Sequence, residues 1–375
     1  MRKEKAGLYI HVPFCISKCA YCSFYSLESV GLIPEYLQAL KKEIHHYREN
    51  FSEFDTVYFG GGTPSLLKPK QLENIISALY RAYKISPKSE MTLEINPKEA
   101  SLDYLKHLRD LGFRRVNIGV QSFDGKTLAL LGRRHTPEDA FTAIEHVQKA
   151  GFDHWGIDLI YGVYGQSVKR WQRELLNALK LQPPHISCYQ LSLDPLTPLY
   201  RRNALERWSL PDEKKQRSFF FTTAETLRNA GYIHYEVSNF AKGEIFKSKH
   251  NQKYWRHVPY LGLGPSANSF LQNRRWWNKA DLKAYLQDIF NGIMPIGGSE
   301  NLDDEKLQLE TFFLRFRTRE GVNLKKYQAI FGIDLFQEKK TIINALIKNK
   351  FLVLENGALR PTLRGMAVAD SLALI

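Results

Sequence analysis

The sequence predicts an α/β protein: a partial (β/α)6 TIM-like barrel followed by a smaller α+β domain of winged-helix type. Three observations carry this. Short β-rich runs alternate with segments of helical period from residue 8 to 193, six β/α units in all, which calls for a parallel sheet with helical crossovers. Polar residues recur at the ends of several of the runs (Glu94, Gln121, Asp158, Ser192), where parallel β/α folds place their sites; this favours an open barrel over a doubly wound sheet. The last 70 or so residues change character, to helices followed by a hairpin.

In order, the predicted strands are 8–12, 55–61, 91–97, 114–123, 154–163 and 185–193. The predicted helices are 34–49, opening after Pro34, then 69–83, 101–111, 137–150, 168–181 and 211–230. A strand-like run, 233–241, follows. Residues 242–280 are rich in Gly, aromatic and basic residues. A helix over 280–291 precedes a loop from Gly292 to Asn301. In the tail, Glu355-Asn356-Gly357 is a hairpin signal within FLVLENGALRPT. The chain thus divides into 1–241 (barrel), 242–300 (connecting region) and 301–375 (C-terminal domain). No repeat of fixed period and no low-complexity segment stands out.

A hydrophobic fraction of 43% excludes a disordered chain, and no apolar run reaches the ~18 residues of a membrane span. Met1 to Gly7 is charged with no apolar core after it, so no secretory signal is expected and the chain reads as cytoplasmic. The net charge is +14, and half of the excess lies in residues 240–285, where nine Lys and Arg meet only Glu244 and Asp281. That is either a solubilising surface or the mark of an anionic partner. No zinc-finger or RNP signature points to nucleic acid.

Of four cysteines, Cys15, Cys19 and Cys22 fall within eight residues, directly after the first predicted strand. Few cysteines in a cytoplasmic chain do not make a disulfide framework, so the triple points to a metal or cluster. Three thiolates leave one iron of a [4Fe–4S] cluster without a protein ligand, open to an external chelate such as the amino and carboxylate groups of S-adenosylmethionine. The alternative is a zinc site completed by His11. Cys188, within a predicted strand, reads as a core residue. His135 reads as structural or a cofactor neighbour.

C-x3-C-x2-C after the first strand, with Tyr21 before the third cysteine, and Gly60-Gly61-Gly62-Thr63-Pro64 after the second strand together resemble the radical S-adenosylmethionine (SAM) superfamily. LYIHVPFC, GGGTPS, LEINP, GVQSF, LGRRH, DLIYG and YQLS narrow the resemblance to the branch of oxygen-independent coproporphyrinogen III oxidase, over roughly residues 8–370. The resemblance implies a partial barrel of the radical SAM type, a [4Fe–4S] cluster on Cys15, Cys19 and Cys22, and SAM beside it. It places Tyr9, Tyr21, Gly61, Gly62, Thr63 and Glu94 at the SAM site, with Gln121, Arg133, Asp158 and Ser192 extending it. It also implies a reductant for the cluster, with the cofactor carrying the hard step.

Two departures separate the chain from the decarboxylating oxidase. Phe24 stands where that enzyme has a fourth cysteine, and only seven residues precede the first strand. A third feature, His250-Asn251-Gln252-Lys253-Tyr254-Trp255, matches the H-N-x-x-Y-W motif of the haem chaperones of this branch. That match implies haem held at His250, Asn251, Tyr254 and Trp255, and its transfer to an acceptor haemoprotein, a respiratory membrane-bound one being the expected kind. An imidazole suits haem iron, and nearby cations suit propionates. Trp276 and Trp277 are either core or pocket wall. The other reading kept open is catalysis of coproporphyrinogen oxidation.

Overall fold

The computed structural model describes residues 4–206 and 210–375. Met1 to Lys3, part of the charged N-terminal stretch noted above, lie outside the described residues. The strands are β1 (Ala6–Val12), β2 (Glu53–Gly61), β3 (Lys84–Ile95), β4 (Arg115–Gln121), β5 (His154–Tyr161), β6 (His185–Gln190), β7 (Ile233–Glu236), β8 (Asn239–Ala241), β9 (Tyr260–Leu263), β10 (Asn268–Leu271), β11 (Arg274–Asn278) and β12 (Ile296–Asn301). They form one sheet in the order β12-β11-β10-β9-β1-β2-β3-β4-β5-β6-β8-β7. β9 and β1 through β6 run parallel; both flanks are antiparallel.

The crossovers carry α1 (Ile33–His46), α2 (Pro69–Ala82), α3 (Leu102–Asp110), α4 (Gly125–Leu131), α5 (Pro137–Lys149), α6 (Val168–Lys180), α7 (Pro198–Glu206) and α8 (Glu213–Asn229). Their starts are chemically marked. Thr136 and Asp139 form a capping box on α5, and Ser101, Ser167 and Asp212 cap α3, α6 and α8. Val57, Phe59, Leu93, Val116 and Ile118 pack beneath the helices in one core. The alternate residues of the same strands, Tyr58, Glu94, Asn117 and Asp158, turn to the concave side, and this alternation makes the sheet a polar-lined partial barrel.

Residues 242–300, set apart above as a connecting region, add α9 (Lys249–Trp255), β9 to β12 and α10 (Leu282–Phe290) to the barrel. Two expectations are corrected. The stretch Gly292 to Asn301 is not all loop: Ile296–Asn301 pairs with β11. Its glycines hide the strand signal, and Gly298 is needed because a Cβ there would meet the Trp277 ring at 2.4 Å. The run 233–241 is two antiparallel strands, β7 and β8, rather than one. Trp276 is core, its indole N–H donating to Tyr47.

Glu43 on α1 clamps this extension. Its carboxylate accepts from Gly264 N–H (2.8 Å), Asn278 Nδ2 (2.6 Å) and Tyr285 OH (2.7 Å). It has no cation partner among the described residues, and burial pushes its pKa up to about 7 despite the three donors. A carboxyl whose folded pKa lies above its unfolded value stabilises most below about pH 4.5, and that share is lost as pH rises to 7. The wild type should therefore lose about 3 kcal/mol relative to Glu43→Gln between those pH values, measured by paired urea titrations.

The tail holds α11 (Asp304–Arg315), β13 (Val322–Asn323), α12 (Leu324–Phe331), α13 (Leu335–Glu338), α14 (Lys340–Lys348), β14 (Leu352–Glu355), β15 (Ala358–Pro361), α15 (Leu363–Met366) and α16 (Ala369–Leu372). It has its own core around Phe316, Ile343 and Leu359 and a three-stranded antiparallel sheet. The expected hairpin is present, with Asn356 and Gly357 both at positive φ (51° and 71°).

Candidate cofactor site

The loop after β1 is closed at its base. Cys15 N–H donates to Leu27 O (2.9 Å) and Leu27 N–H to Pro13 O (2.7 Å). Its tip is pinned through Ala20, which donates to Leu131 O and accepts from Leu199 N–H. The thiols of Cys15, Cys19 and Cys22 therefore face one cavity of about 430 Å³ at the carboxyl ends of the strands. The glycine segment runs directly beneath: Gly62 N–H donates to Val12 O and Thr63 N–H to Phe14 O. A Cβ on Gly62 would lie 2.6 Å from Phe14 O, and Gly61 has φ 107° with the His11 ring against it. The glycines thus permit two loops to touch, in addition to opening backbone to the cavity.

Arg133 is the hub of the polar wall. It donates to Cys19 Sγ (3.4 Å), Asn96 Oδ1 (2.8 Å) and Gly119 O (2.6 Å). Asn96 in turn donates to Thr63 Oγ1 (3.1 Å), and Thr63 Oγ1 lies 3.5 Å from Cys15 Sγ as a donor. Glu94 accepts from Tyr58 OH (2.7 Å), which accepts from Asn117 Nδ2 (3.2 Å). Burial pushes Glu94 up to about 7 and Asp158 to about 6, and a cation placed beside either carboxylate would lower it again. Burial raises the Cys22 thiol also.

The structure brings Tyr21, Gly61, Gly62, Thr63, Glu94, Gln121, Arg133, Asp158 and Ser192 to this cavity with the three cysteines. Gln121 ends β4 at φ 66°. Tyr9 is not on the wall. Its ring stacks on Tyr58 behind Glu94, and its hydroxyl meets His11 Nδ1 (3.1 Å). Asn96, Asn117 and Tyr189 line the cavity and were not singled out from sequence; the period of two through Asn117, Gly119 and Gln121 is the signal that marks Asn117.

His11 does not complete a thiol set. Its other nitrogen meets Tyr25 O (2.9 Å), and burial lowers its pKa to about 4. Among the described residues no three His, Cys, Asp or Glu side chains converge on one ion-sized point. His135 is tied to Val120 O, and Cys188 is buried in the core.

The H-N-x-x-Y-W segment forms α9, capped by Ser248, and closes the opposite mouth of the barrel. His250 is fully buried against Gly7 and Thr56, near the starts of β1 and β2. Its Nδ1 meets Thr56 Oγ1 (2.9 Å), its Nε2 meets Tyr254 OH (2.8 Å), and its ring stacks on Tyr58. Burial lowers its pKa to about 3. Lys253 pairs with Asp55 (2.6 Å), while Trp255 and Arg256, both half-buried, border a second cleft. Much of the basic excess of 240–285 is paired in this way: Lys247 with Glu244, Arg256 with Glu320, Arg275 with Glu300 and Glu310, and Lys279 with Asp288.

The model of the radical SAM superfamily matches residues 9–175, and that of the HemN C-terminal domain matches 302–368. A solved structure of coproporphyrinogen III oxidase (HemN) from Escherichia coli superposes with a TM-score of 0.86 at 23% identity, over 99% of this chain and 90% of that one. Among curated proteins, "Heme chaperone HemW" of Synechocystis is 36% identical over 84% of this chain and 78% of its own length. That of Lactococcus lactis is 31% identical over 99% and 97%. The chain belongs to the HemW family within the radical SAM superfamily.

A [4Fe–4S] cluster with SAM is what this superfamily implies, and the donor set fits it. Three thiols line a cavity rather than caging a single ion, and two of them already receive hydrogen bonds from Thr63 and Arg133. Asn117 Oδ1 is buried beside the cavity without a hydrogen-bond partner among the described residues.

Proposed function

We propose that this protein is a haem chaperone that binds a [4Fe–4S] cluster through Cys15, Cys19 and Cys22, holds SAM in the adjoining cavity, and carries haem to an acceptor haemoprotein in the cytoplasm or at a membrane. The observation that carries the reading is the pairing, in one chain, of a three-thiol cavity with an intact H-N-x-x-Y-W helix. Relatives named as heme chaperones support it. No described helix is long and apolar enough to cross a membrane, so a membrane-bound acceptor would be met from outside the bilayer.

When bound, the cluster and SAM would supply one-electron chemistry. The chain's own residues would bind and orient. Gly61, Gly62 and Thr63 present main-chain groups to the amino end of SAM, and Glu94 and Asp158 accept from its ammonium or ribose hydroxyls. Gln121, Ser192 and Tyr21 complete the wall. Arg133 keeps the cysteine loop in register with Asn96 and offers its guanidinium to a carboxylate. Haem would contact the 250–255 segment. In the described conformation Gln252 and Trp255 border an outer cleft, whereas His250 would have to give up Thr56 and Tyr254 to bind iron.

The second reading is coproporphyrinogen oxidation, favoured by the fold it shares with HemN. Phe24 opposes it: this 67% exposed side chain stands at the cavity where the oxidase has a cysteine. The test is a haem titration of the anaerobically reconstituted protein, followed by mixing with an apo-haemoprotein. Stoichiometric Soret growth, haem transfer and no protoporphyrinogen formation are expected. Porphyrinogen turnover without haem binding would transfer the protein to the second reading.

A further inference from the structure

α9 has two faces. His250 looks into the barrel, while Gln252, Trp255 and Arg256 border a separate cleft of about 310 Å³. Its other wall is the C-terminal region, through Arg315, Arg319, Glu320 and Arg360. Five cations line it (the four arginines and Lys247) against two carboxylates, Glu244 and Glu320. Glu244 is taken by Lys247, and Glu320 is shared between Arg256 and Arg315. Arg360 reaches away to Glu355. No ion pair involves Arg319 among the described residues. Two N–H groups on the lining residues, Trp255 Nε1 and Arg360 Nε, are buried and have no acceptor among the described residues. A cleft with surplus guanidinium forks, unpaired donors and a flat indole lacks an anion, and a carboxylate supplies the acceptors that the forks are shaped for.

We infer that this cleft is a carboxylate site that takes the propionate edge of haem, between α9 and the C-terminal domain. The inference rests on the haem-chaperone reading. It gives the tryptophan that ends the motif a role, as flat apolar surface bordering the cleft. It also makes the C-terminal domain part of the binding site, since three of the four arginines belong to that domain. The cleft adjoins the mouth of the barrel that α9 closes, whereas the cysteines lie at the carboxyl ends of the strands. Haem held here is separated from the SAM cavity by the barrel interior, as suits cargo rather than substrate.

The test compares haem with haem dimethyl ester, titrated into the full-length protein and into Arg319→Gln, Arg315→Gln and Trp255→Phe, with citrate as a free polycarboxylate probe. Arg319 is exposed and holds no ion pair among the described residues, so its variant folds even if Arg315→Gln does not. Haem affinity should fall at least tenfold in the arginine variants. The ester should bind the wild type as weakly as haem binds those variants and be indifferent to the substitutions. Equal affinity for haem and ester, or haem binding untouched by both arginine changes, overturns the cleft while leaving the chaperone reading intact. Citrate binding that is lost in the variants while haem binding is unchanged assigns the cleft to a free anion and overturns the haem assignment. No haem binding by the wild type removes the reading itself, and the inference with it.

Discussion

Replacing any one of Cys15, Cys19 and Cys22 by alanine will abolish the iron–sulfur chromophore of the reconstituted protein, while Cys188→Ala will leave it intact. The first three thiols share a cavity on one pinned loop; Cys188 is buried in the core of the sheet. With three protein ligands there is no spare donor, since His11 is held by Tyr9 and Tyr25 and Phe24 offers none. The loop itself should survive each substitution, because its closure rests on main-chain bonds at Leu27, Leu131 and Leu199 rather than on sulfur. Iron and acid-labile sulfide analysis, beside far-UV circular dichroism, checks this. A cluster retained in any of the three variants would show that the ligand set is wrong.

His250→Ala will destabilise the protein before haem enters the question. The substitution empties a fully buried site, strands the hydroxyls of Thr56 and Tyr254 and removes the ring on which Tyr58 stacks. A cavity and two orphaned hydroxyls together cost about 2–4 kcal/mol. Tyr58 also donates to Glu94, so the loosened ring should weaken SAM binding from the far end of the barrel. Urea unfolding of the protein without haem, and SAM affinity by calorimetry, read the two effects. A variant as stable as the wild type would mean that α9 does not plug the barrel as described. A loss of haem binding in this variant therefore does not by itself identify an axial ligand; the stability of the apo protein must be compared first.

The six central strands and six of the eight helices around them were legible because each obeys a single period, apolar side chains to the core between sheet and helices and polar ones to the barrel interior; the short α4 and α7 were not. The cysteine loop and the glycine segment were legible because their chemistry is local in sequence. Among the missed elements, β9 and α9 show why. β9 holds Gly262, which faces Asn268 O where a Cβ would sit at 2.1 Å, and is followed by Gly264, which turns at φ 94° against His11 O. Close backbone approach removed the side chains that a strand signal needs. α9 has seven residues and no apolar stripe, since one face meets the polar barrel interior and the other a charged cleft. His250 was visible as part of a motif, but its burial was not: its partner Thr56 lies 194 residues away. Asn96, which links Arg133 to Thr63, carried no signal beyond its place at a strand end.

The most direct test of the account is the electron paramagnetic resonance spectrum of the anaerobically reconstituted, chemically reduced protein, recorded with and without SAM. Three thiolates and an open cavity predict a reduced [4Fe–4S] signal that SAM reshapes, because the ligand-free iron is the one that it reaches. A protein that assembles no cluster, or one whose spectrum is the same with and without SAM, would contradict the assignment of the cavity on which the proposed function stands.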